Sequence, residues 1–451
     1  MYKYLKGSHM KKQINGKKRY NTILYVIVGL LFILWAFRID LINTDNTFTL
    51  RLVQHPVSEL IKLDALDVHP PLYYLILKLF FTVTFISHAS PFIQIIAGRV
   101  FNVLLLGITL IVMRSILNKL TGQKFSLAFL SLVCLFPMVI WHSTGIRMYV
   151  LSALLIACEL NSIINFNRDQ RVRDIVLATI FAALGAWTHY FTAIIAGLLL
   201  FYNFVIEKHR RIPYLISGIV FFISFIPWLK ISMSQVSSVK HSYWIKNNIE
   251  EYFGAFVYQR LAKFLGNKLS LCFAILFLAC LIYITVKTLR SFSSEFQKYY
   301  VMVTIVLFGT ILLGFILSVL IRPIFQGRYV FGISLIYFVM TLPLIAAFFS
   351  GSSNNLRRVV KGCLILLICA GTALNLLLGV YYNLKSVNVY RNARQLENSS
   401  VKVINADNEK VPTLLMNSYL VQDKTFTNKH YGHLTSQSDK LFKGIYPNIK
   451  K

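Results

Sequence analysis

The sequence predicts an all-α polytopic membrane protein, and three observations carry that prediction. Of 451 residues, 56% are hydrophobic and only 14% are charged, against roughly 45–50% and about 25% in soluble domains. Mean hydropathy is +0.61, and the apolar residues gather into stretches near the ~20 residues that span a ~30 Å hydrocarbon core. Basic residues occupy alternate connections between these stretches. Together these exclude a disordered chain and a soluble enzyme. Lys and Arg number 47 against 17 Asp and Glu, a net charge of +30. In a soluble chain that excess would point to nucleic acid. In a membrane chain it retains loops on the cytoplasmic side and touches anionic headgroups, so membrane lipids are the expected partner and nucleic acid is not. The six cysteines (Cys134, Cys158, Cys272, Cys280, Cys363, Cys369) all fall inside apolar stretches. They read as small core residues rather than as disulfides or metal ligands.

Taken in order, a basic segment with Lys11, Lys12, Lys17, Lys18 and Arg19 precedes the first apolar run, 22–38. That run lacks a small-residue cleavage site and reads as a retained signal anchor with its N-terminus inside. The string Gly7-Ser8-His9-Met10 resembles a cloning remnant, so residues 1–9 read as a tag. Further apolar segments lie near 72–87, 97–117, 126–141, 148–166, 174–188, 190–206, 213–231, 268–288, 299–320, 328–349 and 359–382. Five connections are basic: 114–124, 167–174, 207–212, 287–298 and 351–361. The positive-inside rule makes them cytoplasmic, which leaves 39–71, 142–147, 188–190, 232–267, 321–327 and the tail after 383 outside. The alternation holds only if 72–87, short and interrupted by Lys78, lies at the outer interface without crossing. The expected count is about 11 crossings, N-terminus cytoplasmic and C-terminus extracytoplasmic, with 12–13 as the alternative if 72–87 spans. Three regions follow: a basic N-terminus (1–21), a transmembrane domain (22–382) and a small external domain (383–451). The last is polar with alternating runs such as Val401–Ile404 and Thr413–Met416, which read as a small α/β cap. At about 65 residues it is too small to bury a large core unaided and should lean on the membrane domain.

Residues able to do chemistry cluster in the external connections. The first carries Asp45-Asn46, then Asp64, Asp67 and His69-Pro70-Pro71-Leu72-Tyr73-Tyr74. Two prolines without amide hydrogens set a helix start at Leu72 and hold His69 just before it. Later come Arg147-Met148-Tyr149, Thr188-His189-Tyr190, and Arg322-Pro323 followed by Arg328-Tyr329, while Arg99 lies inside an apolar stretch near its outer end. Ionisable groups at membrane depth mark function more often than structure. Arg147, His189 and Arg328, flanked by Tyr149, Tyr190 and Tyr329, would form a cationic, aromatic-lined pocket. His69 and Arg99 are further members, and Asp45 is the acidic partner. Such a pocket suits a lipid phosphate, because guanidinium binds phosphate bidentately and a low dielectric strengthens the pair.

This order of motifs resembles the family 39 glycosyltransferases. These are GT-C fold enzymes, related to protein O-mannosyltransferases and the aminoarabinose transferase of lipid A. The resemblance covers roughly residues 20–350 and is strongest over 45–75 and 140–190. It implies a polyprenyl-phosphate-linked sugar donor, transfer outside the cytoplasmic membrane, and Asp45 as catalytic base. The family usually shows Asp-Glu where this chain has Asp45-Asn46, so a divalent metal is weakly supported and the metal ligands stay open. A lipid phosphate is already a good leaving group. One carboxylate to take the acceptor proton and cations to hold the departing charge therefore suffice, unlike the paired carboxylates of glycosidases. Direct displacement would invert the anomeric carbon. The expected acceptor is a hydroxyl on a cell-envelope glycan, lipid or protein. The chain has no Gly-x-x-x-x-Gly-Lys loop for ATP. The alternatives are a lipid-linked saccharide flippase or transporter, whose functional residues would lie near the midplane, and a polysaccharide polymerase or ligase working without an acidic base.

Overall fold

The computed structural model describes residues 21–38, 44–241, 249–253, 267–320, 323–351, 354–428 and 439–450. The basic N-terminus, Arg322 and most of the connection expected at 232–267 lie outside them. The chain is a polytopic helical membrane protein. Seven helical stretches among the described residues are long and apolar enough to cross a membrane: Pro91–Thr121, Tyr149–Asp169, Lys208–Val236, Lys268–Ser291, Ser294–Leu320, Gly327–Ser350 and Asn355–Asn398.

The helices run α1 Asn21–Ala36, then α2 Thr44–Leu52, α3 Val57–Asp64, α4 Leu72–Val83, α5 Pro91–Thr121, α6 Leu127–Ser131, α7 Pro137–Ser143, α8 Tyr149–Asp169 and α9 Val172–Ala186. They continue as α10 Tyr190–Ile206, α11 Arg211–His241, α12 Ile249–Phe253, α13 Asn267–Thr288, α14 Ser294–Leu320, α15 Phe331–Ser350 and α16 Asn355–Asn398. The other stretches expected to cross fall on shorter elements, namely α1, the broken segment 127–143, α9 and α10.

Two elements differ from expectation. The stretch near 126–141 is not one helix: α6 passes through a 3-10 turn at Leu132–Leu135, and α7 begins at Pro137. Proline offers no amide to continue the ladder, and it holds Phe136 in an extended conformation (φ −70°, ψ 129°). At the far end, α16 does not stop at 382 but runs unbroken to Asn398. Tyr382, Ser386, Val389 and Ala393 are buried along that extension, a helical spacing on one face.

The expected interfacial helix is α4. Its 12 residues measure about 18 Å at 1.5 Å per residue, well short of a ~30 Å core. Four of the basic connections meet at one end of the bundle. Lys119 reaches Asn161 and Asn165 at 2.8 Å, Arg168 pairs with Glu295 at 2.5 Å, and Lys298 pairs with Glu207. The opposite end holds α2 to α4, the turn before α8 and the turn before α10, where the Leu72 amide donates to the Trp187 carbonyl at 3.0 Å.

Beyond α16 comes a small three-stranded parallel sheet, β1 Val403–Asn405, β2 Thr425–Thr427 and β3 Ile449–Lys450, in the order β1-β2-β3. Ile404 faces Phe426, which faces Ile449 across the strands. Helix α17 (Val411–Leu420) connects the first pair, and α18 (Asp439–Ile445) precedes β3. The run Thr413–Met416 therefore lies in a helix, entered through Pro412 in its first turn. The unit docks on the first loop. Buried Arg51 donates to the Ser418 carbonyl and, at 3.0 Å, to Asn448 Oδ1, and Tyr419 donates to Gln94 at 2.8 Å.

Candidate active site

Three chain segments meet at the end of the bundle away from the basic connections. Asp45 stands in the first turn of α2. Arg147 ends the turn between α7 and α8, and Arg328 lies in the 3-10 turn Gly327–Val330 that leads into α15. Arg328 Nη1 donates to Asp45 Oδ2 at 2.7 Å in an ion pair whose members are 15% and 24% exposed. Arg147 is buried beside it. Its Nη1 donates to three neutral oxygens, the Tyr74 hydroxyl and Thr49 Oγ1 at 3.2 Å and the Asp45 carbonyl at 3.5 Å. Its Nε has no hydrogen-bond partner among the described residues. Among the described residues no carboxylate bonds the Arg147 guanidinium directly, although Asp45 and Asp67 act on it electrostatically, and a guanidinium without a bidentate partner suits an anion.

Rings wall the space around the two arginines. His69 stacks on His189 at 5.1 Å with 29° between planes. Tyr329 lies 4.9 Å from His189 and 6.5 Å from Tyr149, measured between centroids. Arg328 sits 6.0 Å over Tyr149 and 5.6 Å over Tyr329. His142, which the sequence reading passed over, adds its ring 5.7 Å from Tyr149. His189 caps α10, its Nδ1 accepting from the Phe191 amide at 3.1 Å. Burial, with Arg147 and Arg328 beside it, lowers its pKa to about 3. His69 is likewise pushed well below its ordinary value by burial, then by Arg147, His189 and Arg328. Both imidazoles are neutral at physiological pH.

Two further carboxyls face this group. Asp64, the last residue of α3, is fully buried, and neither oxygen finds a hydrogen-bond partner among the described residues. Burial, reinforced by Asp67, raises its pKa well above the ordinary carboxylate value. Asp67 is also buried, and its pKa rises to about 6 because desolvation outweighs the opposing pull of Arg147. Among the described residues no three His, Cys, Asp or Glu side chains gather as a metal site.

The structure thus brings together Asp45, His69, Arg147, Tyr149, His189, Arg328 and Tyr329. It does not bring in Arg99 or Tyr190. Arg99 is fully buried on α5 and donates to the carbonyls of Arg38 and, at 3.5 Å, Trp35, at the C-terminal end of α1. A cation there complements the carbonyl end of a helix. Tyr190 points toward α11, where its hydroxyl donates to Gln235 Oε1 and accepts from Trp228 Nε1 at 3.1 Å. Sequence reasoning missed Thr49 and Tyr74, which hold Arg147, and Asn102. The Asn102 amide donates to the Gly145 carbonyl and, at 3.1 Å, to that of Arg147. Asn46, where the resembled family has a glutamate, accepts from the Ile146 amide at 3.0 Å and ties the Arg147 turn to α2.

No protein-family model and no curated relative matches the chain. Solved structures do. Apo ArnT from Cupriavidus metallidurans superposes with a TM-score of 0.53 at 12% identity, over 94% of this chain and 90% of its own. The same protein bound to undecaprenyl phosphate gives 0.55 at 12% identity, over 95% and 87%. The chain has a GT-C-type fold. At this identity the likeness establishes architecture alone.

Proposed function

We propose that this protein is an integral membrane glycosyltransferase of the family 39 type. It moves a sugar from a polyprenyl-phosphate donor to an acceptor hydroxyl on the outer face of the cytoplasmic membrane. The observation that carries this reading is the buried Arg147 guanidinium, held by neutral oxygens only, beside the Asp45–Arg328 ion pair. The fold supports it, since one solved structure of that architecture holds undecaprenyl phosphate. Arg147 and Arg328 bind the phosphate and stabilise its charge as the glycosidic bond breaks. An incoming phosphate competes for Arg328, which loosens its hold on Asp45 and leaves that carboxylate to take the acceptor proton. Neutral His69 and His189, with Tyr149 and Tyr329, line the path without adding charge. Attack from the face opposite the phosphate inverts the anomeric carbon. A carboxylate base at the helix ends, away from the midplane, favours a transferase over a flippase.

The test is transfer from undecaprenyl-phosphate sugars to envelope fractions. Asp45→Asn keeps the volume and removes the base, so turnover should fall about 10²–10⁴-fold with undecaprenyl phosphate still bound. Near-wild-type turnover would remove Asp45 from the mechanism.

A further inference from the structure

We propose that Asp64 and Asp67 bind hydroxyl groups of the donor sugar and set which sugar the protein accepts. This rests on the glycosyltransferase reading and deepens it. Asp64 ends α3 and Asp67 lies two residues before His69 in the loop between α3 and α4, and both are buried. Hydrogen bonding within the protein accounts for Asp67 only through the Val68 amide and does not account for Asp64. Both oxygens of Asp64 and the Nδ1 of His69 lack partners among the described residues. Native proteins rarely leave such groups unsatisfied, and a ligand is one ordinary reason for it. Arg147 and Asp45 both act electrostatically on Asp67, and Arg147 acts on Asp64. A ring joined directly to a phosphate on Arg147 would therefore sit within electrostatic reach of these carboxyls.

The chemistry fits a sugar. A hydroxyl both donates and accepts. Asp64, which burial favours in the protonated form, donates through one oxygen and accepts through the other. Asp67, ionised for the most part at pH 7, accepts only. A site whose buried polar groups are completed by substrate hydroxyls rejects analogues that lack them far more strongly than an apolar pocket does. The backbone around these residues is fixed from α11. Gln235 Nε2 donates to the carbonyls of Asp64 at 3.2 Å and Ala65 at 3.3 Å, and Tyr190 in turn holds the Gln235 oxygen. Tyr190 thereby acts on this loop as a positioning residue.

The experiment compares two probes on the full-length protein in lipid nanodiscs. One is undecaprenyl phosphate alone. The other is undecaprenyl phosphate carrying glucose, mannose, ribose or N-acetylglucosamine. Asp64→Asn and Asp67→Asn should bind the bare lipid phosphate no more weakly than wild type, and Asp67→Asn somewhat more tightly, since it removes a negative charge that acts on Arg147. They should bind the preferred sugar donor ~10-fold or more weakly, with the order of preference among sugars altered. Asp67→Glu, which keeps the acid but displaces it, guards against misfolding and should shift preference in the same way. Equal losses for both probes, unchanged donor affinity and preference, or an effect confined to acceptor KM would each overturn the assignment. Failure of the wild type to bind undecaprenyl phosphate would instead remove the transferase reading and the subsite with it.

Discussion

Asp67→Asn should stabilise the protein at neutral pH, because the native fold holds this carboxyl where its charge is unfavourable. Its native pKa is about 6 against 3.8 for the free side chain, with burial the leading cause and Arg147 a partial offset. Above both values the side chain is ionised folded and unfolded, and the native state carries the whole difference. A gap of that size between the folded and free values amounts to about 3 kcal/mol. Because this pKa is raised, the contribution runs opposite to that of a salt-bridged aspartate. Stability is retained in full below the unfolded pKa and falls as pH rises through about 6. The gain from Asp67→Asn should therefore be about 3 kcal/mol at pH 7.5 and shrink to ~1 kcal/mol at pH 4.5. Asparagine leaves the polar contact to the Val68 amide intact, since that bond needs only an acceptor oxygen. The assay is thermal unfolding in detergent, followed by a thiol-reactive fluorophore that labels the buried Cys134 and Cys280 as they become accessible. A gain independent of pH between 4.5 and 7.5 would refute the desolvation argument, and a loss at pH 7.5 would show that the ionised carboxylate is a net stabiliser paired with Arg147. A residue retained at a thermodynamic disadvantage beside a binding pocket is what selection for function produces.

Arg147→Ala should weaken undecaprenyl phosphate binding about 10–100-fold, and Arg147→Lys should recover only part of it, because a single ammonium cannot reproduce the guanidinium fork; titration of the bare lipid phosphate measures both. Arg99→Gln should lower stability by about 1.5–3 kcal/mol through loss of charge-assisted bonds to the end of α1, while leaving phosphate affinity unchanged, and a parallel fall in affinity would put Arg99 back in the pocket. With the six cysteines replaced, a new cysteine at Lys124 should be protected from an impermeant maleimide in intact cells while those at Glu59 and Asp423 react; external labelling at 124 would mean that α4 spans the membrane.

Much of this site was legible in the sequence because its geometry is set by local rules. Pro70-Pro71 starts α4 at Leu72 and seats His69 just before it. The residues next to the turns, Arg147, His189 and Arg328, converge because short helices joined by tight turns bring their ends to one surface. What misled was proximity in sequence. Tyr190 follows His189, but a helix start turns successive side chains about 100° apart, so His189 faces the pocket and Tyr190 faces α11. Arg99 has the right type and depth for a ligand. Only its partners, the carbonyls of Trp35 and Arg38, distinguish a helix anchor from a phosphate anchor. The overrun of α16 could have been read from the spacing of Tyr382, Ser386, Val389 and Ala393. The polar character of the residues between them hid it from a hydropathy count. The four-residue run Thr413–Met416 was too short to separate strand from helix by period, and Pro412 was the better signal.

The departure at residue 46 bears on how the proposed base and the proposed phosphate site are coupled. The Arg147 turn has little regular structure of its own, yet it is held from two sides. Asn46, on α2 next to the base, accepts from Ile146. Asn102, on α5, donates to Gly145 and Arg147 and accepts from the Tyr73 hydroxyl at 3.3 Å. Gly98 lets the helix approach the same turn, since a Cβ there would stand 3.0 Å from the Ile146 side chain. Asp45 and Arg147 thus ride on one unit, α2 plus the turn. Arg328 comes from a separate element, the turn into α15, and is joined to that unit through the Asp45 ion pair. A side chain with a second carboxylate at 46 could still accept from Ile146, but it would add negative charge beside Arg147 and weaken the anion site. Asparagine keeps the tether and adds no charge beside Arg147, which on the proposed reading favours phosphate affinity.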